Sequence, residues 1–292
     1  MKLAVSMWSY FQSWKKGMSV PEFVREAKRA GADGVELLDF FYNDPDRDRL
    51  LFFDPLYIAG RRSAIKEALE ETNLPVPIFS VANNFAKENY NEREQEVQKI
   101  AFGISEAVQF GAKVVRVFAG DVSETVSFDQ ARDYIVHGLA EASKLAAQHG
   151  VKLALENHGT LAGRGDQVRD LIEDVRQLCG NDALGANPDT GNFLIVGQRS
   201  DEAIRQVASL AYMVHFKDFK QAPADHSGFT YDTLDGKHLV GTAVGEGEVN
   251  LKACIETLKE GGFDGWLSVE YEGEEDPISA IPRSIENARK FL

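Results

Sequence analysis

The sequence has little of several features that mark special classes of protein. It contains 2 cysteines, and because Cys179 and Cys254 lie far apart in helix-like segments, they predict neither a disulfide framework nor a zinc knuckle. No apolar run approaches the length of about 18 residues that a membrane span needs. The N-terminal run from Met1 to Trp8 is too short for a signal peptide. We therefore expect a cytoplasmic protein with no membrane partner.

Positive charge is also scarce. The chain has 32 lysines and arginines against 46 acidic residues, a formal net charge of −14. Nucleic-acid binding relies on a basic surface, so we expect no nucleic-acid partner. The first predicted strand is followed by Trp8-Ser9-Tyr10-Phe11 and not by a glycine-rich G-x-G-x-x-G loop, which argues against a nucleotide cofactor.

Short apolar runs of strand length alternate with amphipathic stretches of helix length, and this unit occurs eight times. Eight strand–helix units in 292 residues predict an α/β protein, a single (β/α)8 TIM barrel over residues 1–292, because such barrels typically have about 250 residues. A doubly wound open sheet is the alternative. The predicted strands are Leu3–Tyr10, Gly34–Asp39, Pro77–Ala82, Lys113–Ala119, Lys152–His158, Leu184–Asn187, Met213–Phe219 and Trp266–Tyr271.

Helices are expected between these strands, and long loops are expected at 40–60 and 220–248. The second helix is predicted over 61–72, after an aromatic-rich stretch. That stretch, Phe40 to Tyr57, is a candidate for a dimer contact or a substrate lid, so a homo-oligomer is compatible with the sequence. An acidic run from Glu272 to Asp276 is expected to face solvent.

The last four predicted strands each carry an ionisable residue near the end of the strand. In a TIM barrel the carboxyl ends of the strands form the active site, so these side chains are expected to meet. Three carboxylates and one imidazole suit one divalent ion such as Mn²⁺, Mg²⁺ or Co²⁺, with Zn²⁺ or Fe²⁺ as alternatives. Without a cation the carboxylates would repel one another. The candidate ligands are Glu156, Asp189, His215 and Glu270.

The strand tips resemble those of the xylose isomerase-like TIM barrels, a superfamily of sugar isomerases, ketose 3-epimerases, inosose dehydratases and family 2 AP endonucleases such as endonuclease IV. The resemblance covers the whole chain. It rests on Leu155-Glu156-Asn157-His158, Asp189-Thr190-Gly191-Asn192, Val214-His215-Phe216-Lys217-Asp218 and Val269-Glu270-Tyr271, with Gly34-Val35-Glu36-Leu37 and Gly245-Glu246-Gly247-Glu248.

The resemblance implies that the four candidate ligands hold one metal ion, usually Mn²⁺. It also implies a keto-sugar isomerase or epimerase in which Glu156 and Glu270 transfer a proton through a metal-stabilised enediolate. The alternative is a metal-dependent lyase or dehydratase on a keto-sugar, keto-glycoside or keto-inositol, in which Lys217 or His158 helps to expel the leaving group. A third reading is a sugar-binding barrel without catalysis, which would not require two such carboxylates.

Some positions depart from particular members of the superfamily. Ketose 3-epimerases usually carry a histidine where this chain has Asn192 and an arginine where it has Gln221, which speaks against epimerisation of a free ketose at C3. Endonuclease IV uses additional histidines for three zinc ions, and the strand tips at Asn84, Arg116 and Glu36 do not supply them. A small sugar-like substrate is therefore expected.

His158 and Lys217 each lie two residues after a candidate ligand, and so on the same side of an extended strand. His158 is a candidate substrate contact, with a structural hydrogen bond as the alternative. Lys217 is a candidate for binding an oxyanion or transferring a proton, with a salt bridge to Glu156 or Asp189 as the alternative.

Further candidates for substrate binding lie on the remaining strand tips. Arg116 and Glu36 are predicted substrate contacts, or else a barrel-interior ion pair with each other. Trp8 is a candidate pocket wall, with aromatic core as the alternative. Asn84 and Asn192 complete the set.

Overall fold

Eight parallel strands form a barrel in the computed structural model, which describes residues 1–42, 55–122 and 126–292. The strands are β1 (Lys2–Ser6), β2 (Gly34–Leu38), β3 (Ile78–Ser80), β4 (Val114–Val117), β5 (Lys152–Glu156), β6 (Leu184–Asn187), β7 (Val214–Phe216) and β11 (Trp266–Val269). Their order in the sheet is β6-β5-β4-β3-β2-β1-β11-β7, and every pair is parallel. The predicted (β/α)8 fold is confirmed.

The barrel closes between β6 and β7 at a seam that consists of isolated bridges instead of a continuous ladder. One bridge joins Ala186 to Ala211 and another joins Asp189 to His215. The Thr190 N–H donates to the His215 carbonyl at 3.0 Å. Two of the candidate ligands therefore face each other across the seam.

The helices pack outside the barrel, and their ends follow the capping signals in the sequence. The helices are α1 (Phe11–Lys15), α2 (Val20–Arg29), α3 (Pro55–Thr72), α4 (Tyr90–Phe110), α5 (Phe128–Gln148), α6 (Gly165–Cys179), α7 (Asn192–Ile195), α8 (Ser200–Val207), α9 (Leu251–Glu260) and α10 (Pro277–Arg289). Ser19 and Glu22 form a capping box at the start of α2, as their spacing predicts, and Gly111 ends α4 in the left-handed conformation at φ 77°.

Several predicted boundaries are wrong. The first strand ends at Ser6 and not at Tyr10, because residues 7–10 turn into a 3₁₀-helix that packs Met7 and Tyr10 into the core. Helix α3 begins at Pro55, before the predicted start at 61. Of the predicted loop over 40–60, which includes the candidate dimer contact or lid from Phe40 to Tyr57, residues 43–54 lie outside the described part of the chain.

The predicted loop over 220–248 contains regular structure. Strands β8 (Asp218–Gln221), β9 (Tyr231–Asp232) and β10 (His238–Thr242) form an antiparallel sheet in the order β8-β10-β9. We call residues 218–242 the arm. Asp235-Gly236 is a hairpin signal, and Gly236 adopts φ 83° in the turn. One of its strands, β9, has only two residues and is too short to show a period.

The arm lies against the mouth of the barrel. The Leu234 N–H donates to the Ile195 carbonyl at 2.8 Å, and Gly241 bridges Gly273. A Cβ atom at Gly241 would lie 2.4 Å from the backbone of Glu272, so the glycine permits this close approach. Across 1–42, 55–122 and 126–292, no helix is long and apolar enough to span a bilayer.

Candidate metal centre

The four candidate ligands converge in the barrel mouth. Glu156, Asp189, His215 and Glu270 are all buried, and each offers one ligand atom within 4.8 Å of the others. His215 Nδ1 lies 3.1 Å from Glu156 Oε2, 3.6 Å from Glu270 Oε2 and 3.8 Å from Asp189 Oδ2. The structure thus brings together a nitrogen and three carboxylate oxygens around one point.

His215 is fixed from below by Glu36. Its Nε2 lies 3.1 Å from both carboxylate oxygens of Glu36, which also accepts hydrogen bonds from Ser80 and, at 2.5 Å, from Ser268. A carboxylate that accepts the Nε2 proton leaves the Nδ1 lone pair for a cation, the arrangement common among metal-binding histidines. Glu36 is completely buried, so the structure places it beneath His215 and not at a substrate surface.

Two buried atoms of the cluster lack hydrogen-bond partners among the described residues: His215 Nδ1 and Asp189 Oδ2. Of the three carboxylates around the nitrogen, only Glu156 lies within hydrogen-bond distance, and its direction does not give a hydrogen bond. Asp189 Oδ2 has the Lys217 ammonium 3.1 Å away but likewise makes no hydrogen bond. Buried polar atoms without hydrogen bonds are costly, and a cation bound to both atoms would satisfy them. Three carboxylates and an imidazole fit a hard to borderline divalent ion at this position.

The charges within the cluster show the same demand for a cation. Burial alone would lower the pKa of His215, but the carboxylates around it, Glu36 foremost, raise that pKa well above its usual value. Burial raises the pKa of Asp189 to about 6, against the opposing effect of the Lys217 charge. In the chain alone, the proton on His215 and the Lys217 ammonium offset part of the negative charge that a divalent ion would otherwise balance.

A turn at the end of β6 aims Asp189. The Asn157 side chain accepts the Asp189 N–H at 2.6 Å and donates to its carbonyl at 3.1 Å, so it holds the turn in place. Asp189 Oδ1 accepts the N–H groups of Gly191 and Asn192, leaving Oδ2 directed into the site. A Cβ at Gly191 would lie 2.9 Å from Lys217 Cγ, so glycine there lets Lys217 pass.

Glu156 is held by cationic and amide donors. Arg116 Nε lies 3.2 Å from Glu156 Oε2, and the Asn187 and Asn192 amides lie 3.2 and 3.3 Å from its two oxygens. Burial would raise the pKa of Glu156, but His215 and Arg116 outweigh that effect and keep the pKa well below its usual range. Arg116 therefore forms a barrel-interior ion pair, which was the alternative reading, but its partner is Glu156 and not Glu36.

Lys217 is buried at the rim of the cluster. Its Nζ lies 2.7 Å from Glu270 Oε2, 3.1 Å from Asp189 Oδ2 and 3.3 Å from Glu272 Oε2. Of the two predicted partners the structure gives Asp189, and it adds both glutamates. Burial alone would lower the pKa of Lys217, but the carboxylates raise it well above its usual value, so the group is an ammonium.

Glu272 was missed by the sequence analysis. It was expected to face solvent with the rest of the acidic run, yet its side chain is only 15% exposed. It accepts hydrogen bonds from Trp8 Nε1 at 2.6 Å and from the Tyr231 hydroxyl at 2.8 Å. The signal was its position two residues after Glu270, the spacing that singled out His158 and Lys217. Ser6 and Asn187, which contact Glu270 and Glu156, were missed too.

Of the other predicted substrate contacts, His158 and Asn84 lie farther out, whereas Trp8 and Asn192 border the site. His158 is half-exposed, packs against Phe118 with the two rings tilted by 45°, and lies with its Nδ1 3.7 Å from Asp121 Oδ1. Asn84 lines the same surface depression as His158, but its side chain caps the Ala86 N–H. Trp8 packs against Phe11, Phe40 and Phe41 and also reaches Glu272, so it is both part of an aromatic cluster and a neighbour of the site. Asn192 bridges Glu156 and Lys217.

Comparison with known proteins places this geometry in a family. An inosose dehydratase from Lacticaseibacillus casei is 26% identical over 170 residues, which cover 56% of this chain and 54% of that protein, little more than half its length. The Escherichia coli 3-keto-D-glucoside 4-epimerase YcjR superposes with a TM-score of 0.74 at 19% identity, covering 99% of both chains.

The IolI protein, solved with a bound zinc atom, superposes with a TM-score of 0.72 at 19% identity, covering 100% of this chain and 96% of that one. At such identities the two superpositions show the fold alone. Residues 24–291 match the family model described as a xylose isomerase-like TIM barrel. The chain therefore belongs to the family of xylose isomerase-like TIM barrels.

Proposed function

We propose that the chain is a divalent-metal-dependent enzyme that acts on a small keto-sugar or keto-polyol. The observation that carries the proposal is the convergence of His215 Nδ1 with three carboxylates, in which two buried atoms make no hydrogen bond within the described ranges. When bound, a divalent ion supplies Lewis acidity, which acidifies the C–H bond next to a substrate carbonyl. Mn²⁺ is the proposed ion, with Mg²⁺, Co²⁺, Zn²⁺ and Fe²⁺ as the alternatives to test. No nucleotide cofactor is proposed.

Glu156 and Glu270 are the proposed proton-transfer groups. They lie on β5 and just after β11, on different sides of His215, so they can reach a substrate from two directions. Arg116 keeps Glu156 ionised, as a base must be, and Ser6 with Lys217 orients Glu270. Either carboxylate can therefore accept the proton from the carbon next to the carbonyl.

We favour dehydration as the outcome of this proton removal. The Lys217 ammonium lies 2.7 Å from Glu270, where it can donate a proton to a hydroxyl group on the β carbon as the C–O bond breaks. The C–H proton then resides on a carboxylate, the electron pair forms the C=C bond, and the hydroxyl leaves as water. The similarity to an inosose dehydratase supports the same choice.

Isomerisation or epimerisation is the second candidate, because Glu156 and Glu270 could act as a pair. One carboxylate would remove the proton and the other would return one, either to the neighbouring carbon or to the opposite face. The fold shared with a keto-glucoside epimerase is compatible with this outcome. The two candidates share the first step and differ in the product.

The test combines metal analysis with solvent deuterium exchange. The purified protein is loaded with Mn²⁺ and incubated in D₂O with keto-sugars, keto-glycosides and keto-inositols. Loss of water from the substrate indicates the dehydratase, whereas deuterium in an intact sugar indicates the isomerase or epimerase. A protein that neither binds a divalent ion nor exchanges any substrate proton refutes both.

Glu156→Gln tests the proposed base. We expect turnover to fall by at least about 10³-fold, because the amide cannot accept the proton. Glu106→Gln is the matched control, since Glu106 is an equally buried carboxylate that pairs with Arg62 far from the site. A Glu156 variant as active as that control contradicts the assigned role.

A further inference from the structure

Lys217 and the proposed metal ion require the same oxygens. Lys217 Nζ contacts Asp189 Oδ2 and Glu270 Oε2, and these two atoms also face His215 Nδ1. An ammonium that remains there opposes a divalent cation in two ways, by occupying lone pairs and by like-charge repulsion. The buried lysine therefore needs another anionic partner when the centre is loaded.

Glu272 is the carboxylate that can serve as this partner. Its Oε2 lies 3.3 Å from Lys217 Nζ, and it does not belong to the four-residue cluster. The remaining close polar partner of the ammonium, Asn192 Oδ1 at 3.3 Å, carries no charge. Within the described chain, Glu272 is thus the carboxylate beside Lys217 that would not bind a metal ion held by the four-residue cluster.

The position of Glu272 is fixed by two other parts of the chain. Trp8, which follows β1, donates its indole N–H to Oε1, and Tyr231, in the arm, donates its hydroxyl to Oε2. Two donors from separate elements restrict the rotamer of the side chain.

We propose that Glu272 is a positioning residue, which retains the Lys217 ammonium at the rim of the site when an ion takes the Asp189 and Glu270 oxygens that the ammonium contacts in this structure. The inference rests on the proposed metal-dependent function. It assigns a role to the arm as well, because Tyr231 anchors Glu272. Without Glu272, the Lys217 ammonium would pair only with the Asp189 and Glu270 carboxylates and would compete with the ion for their oxygens.

A double-mutant cycle on metal binding tests this. Wild type, Glu272→Gln, Lys217→Met and the double variant are titrated with Mn²⁺, with free Mn²⁺ measured by electron paramagnetic resonance. With Lys217 present, we expect Glu272→Gln to weaken binding by about three- to tenfold, a coupling of ordinary size for contacting groups. With Lys217→Met, we expect Glu272→Gln to change binding by less than about twofold, because no competing ammonium remains.

Tyr231→Phe is a second variant that removes one anchor of Glu272 and keeps its charge. We expect a smaller loss of Mn²⁺ affinity that likewise disappears in the Lys217→Met background. Equal losses in both lysine backgrounds, or no loss with Glu272→Gln, overturn the inference while leaving the proposed function standing. A wild-type protein that binds no divalent ion overturns the proposed function and this inference with it.

Discussion

Replacing Glu36 by glutamine separates the orientation of His215 from the ligands themselves. Glu36 accepts the proton of His215 Nε2, and within the described residues its other hydrogen-bond partners are Ser80 and Ser268 and not the other three candidate ligands. Glutamine keeps the size and one carbonyl oxygen, and its amide can donate to a serine hydroxyl, which can rotate to accept. The variant is therefore expected to fold.

The size of the effect follows from the lost charge. The carboxylate makes the imidazole a better donor of its Nδ1 lone pair, and partners of this kind typically contribute about 10- to 100-fold to metal affinity. That range corresponds to about 1.4–2.7 kcal/mol. We expect Glu36→Gln to weaken Mn²⁺ binding by this amount while far-ultraviolet circular dichroism stays unchanged.

The assay is isothermal titration with Mn²⁺, supported by thermal unfolding. Metal at about 100 times the dissociation constant stabilises the folded protein by about 2.7 kcal/mol, and the Glu36 variant should lose much of that gain at the same concentration. Glu106→Gln serves as the control, because it removes a buried carboxylate that pairs with Arg62 and should leave the affinity unchanged. Mn²⁺ affinity within twofold of wild type in Glu36→Gln would refute this account of His215.

Two further predictions concern stability. Asp218→Ala should lower the free energy of unfolding in urea by about 4 kcal/mol, because the N–H groups of Gly245, Gly247 and Val249 lose the carboxylate that accepts them. Glu248→Ala, at an exposed site, should change that free energy little, and equal effects of the two substitutions would contradict this. Burial raises the pKa of Asp39 to about 6, so folding favours its protonated form and stability is lost as pH rises from about 4 to about 6. Asp39→Asn should therefore gain about 2–3 kcal/mol relative to wild type over that interval, and a pH-independent difference would refute the assignment.

The strand tips were predictable because each apolar run ends in a residue that is expensive to bury alone. Glu156 and Glu270 follow buried strands, and the parallel barrel brings their ends together whatever the loops do. Register and strand length were less predictable. Met7 to Tyr10 is as apolar as a strand, and its 3₁₀ turn depends on the core that it enters.

The contacts beyond the tips depend on side-chain direction, which spacing alone does not give. Arg116 has two carboxylates within reach, and only the packed barrel decides that it pairs with Glu156. Glu272 reads as part of a solvated acidic run until Trp8 and Tyr231 are seen to donate to it. Tyr231 lies on a strand of two residues, too short to show any period.

The seam between β6 and β7 gives the barrel one place where neighbouring strands are joined by few backbone bonds. Asp189 and His215 stand on opposite sides of it, so an ion bound to both would act as a clasp across the gap. Transient opening of the seam would separate the two ligands, so metal binding should make local opening between β6 and β7 less frequent. Amide hydrogen exchange at Thr190 and Tyr212, whose N–H groups cross the seam, should slow when Mn²⁺ is added.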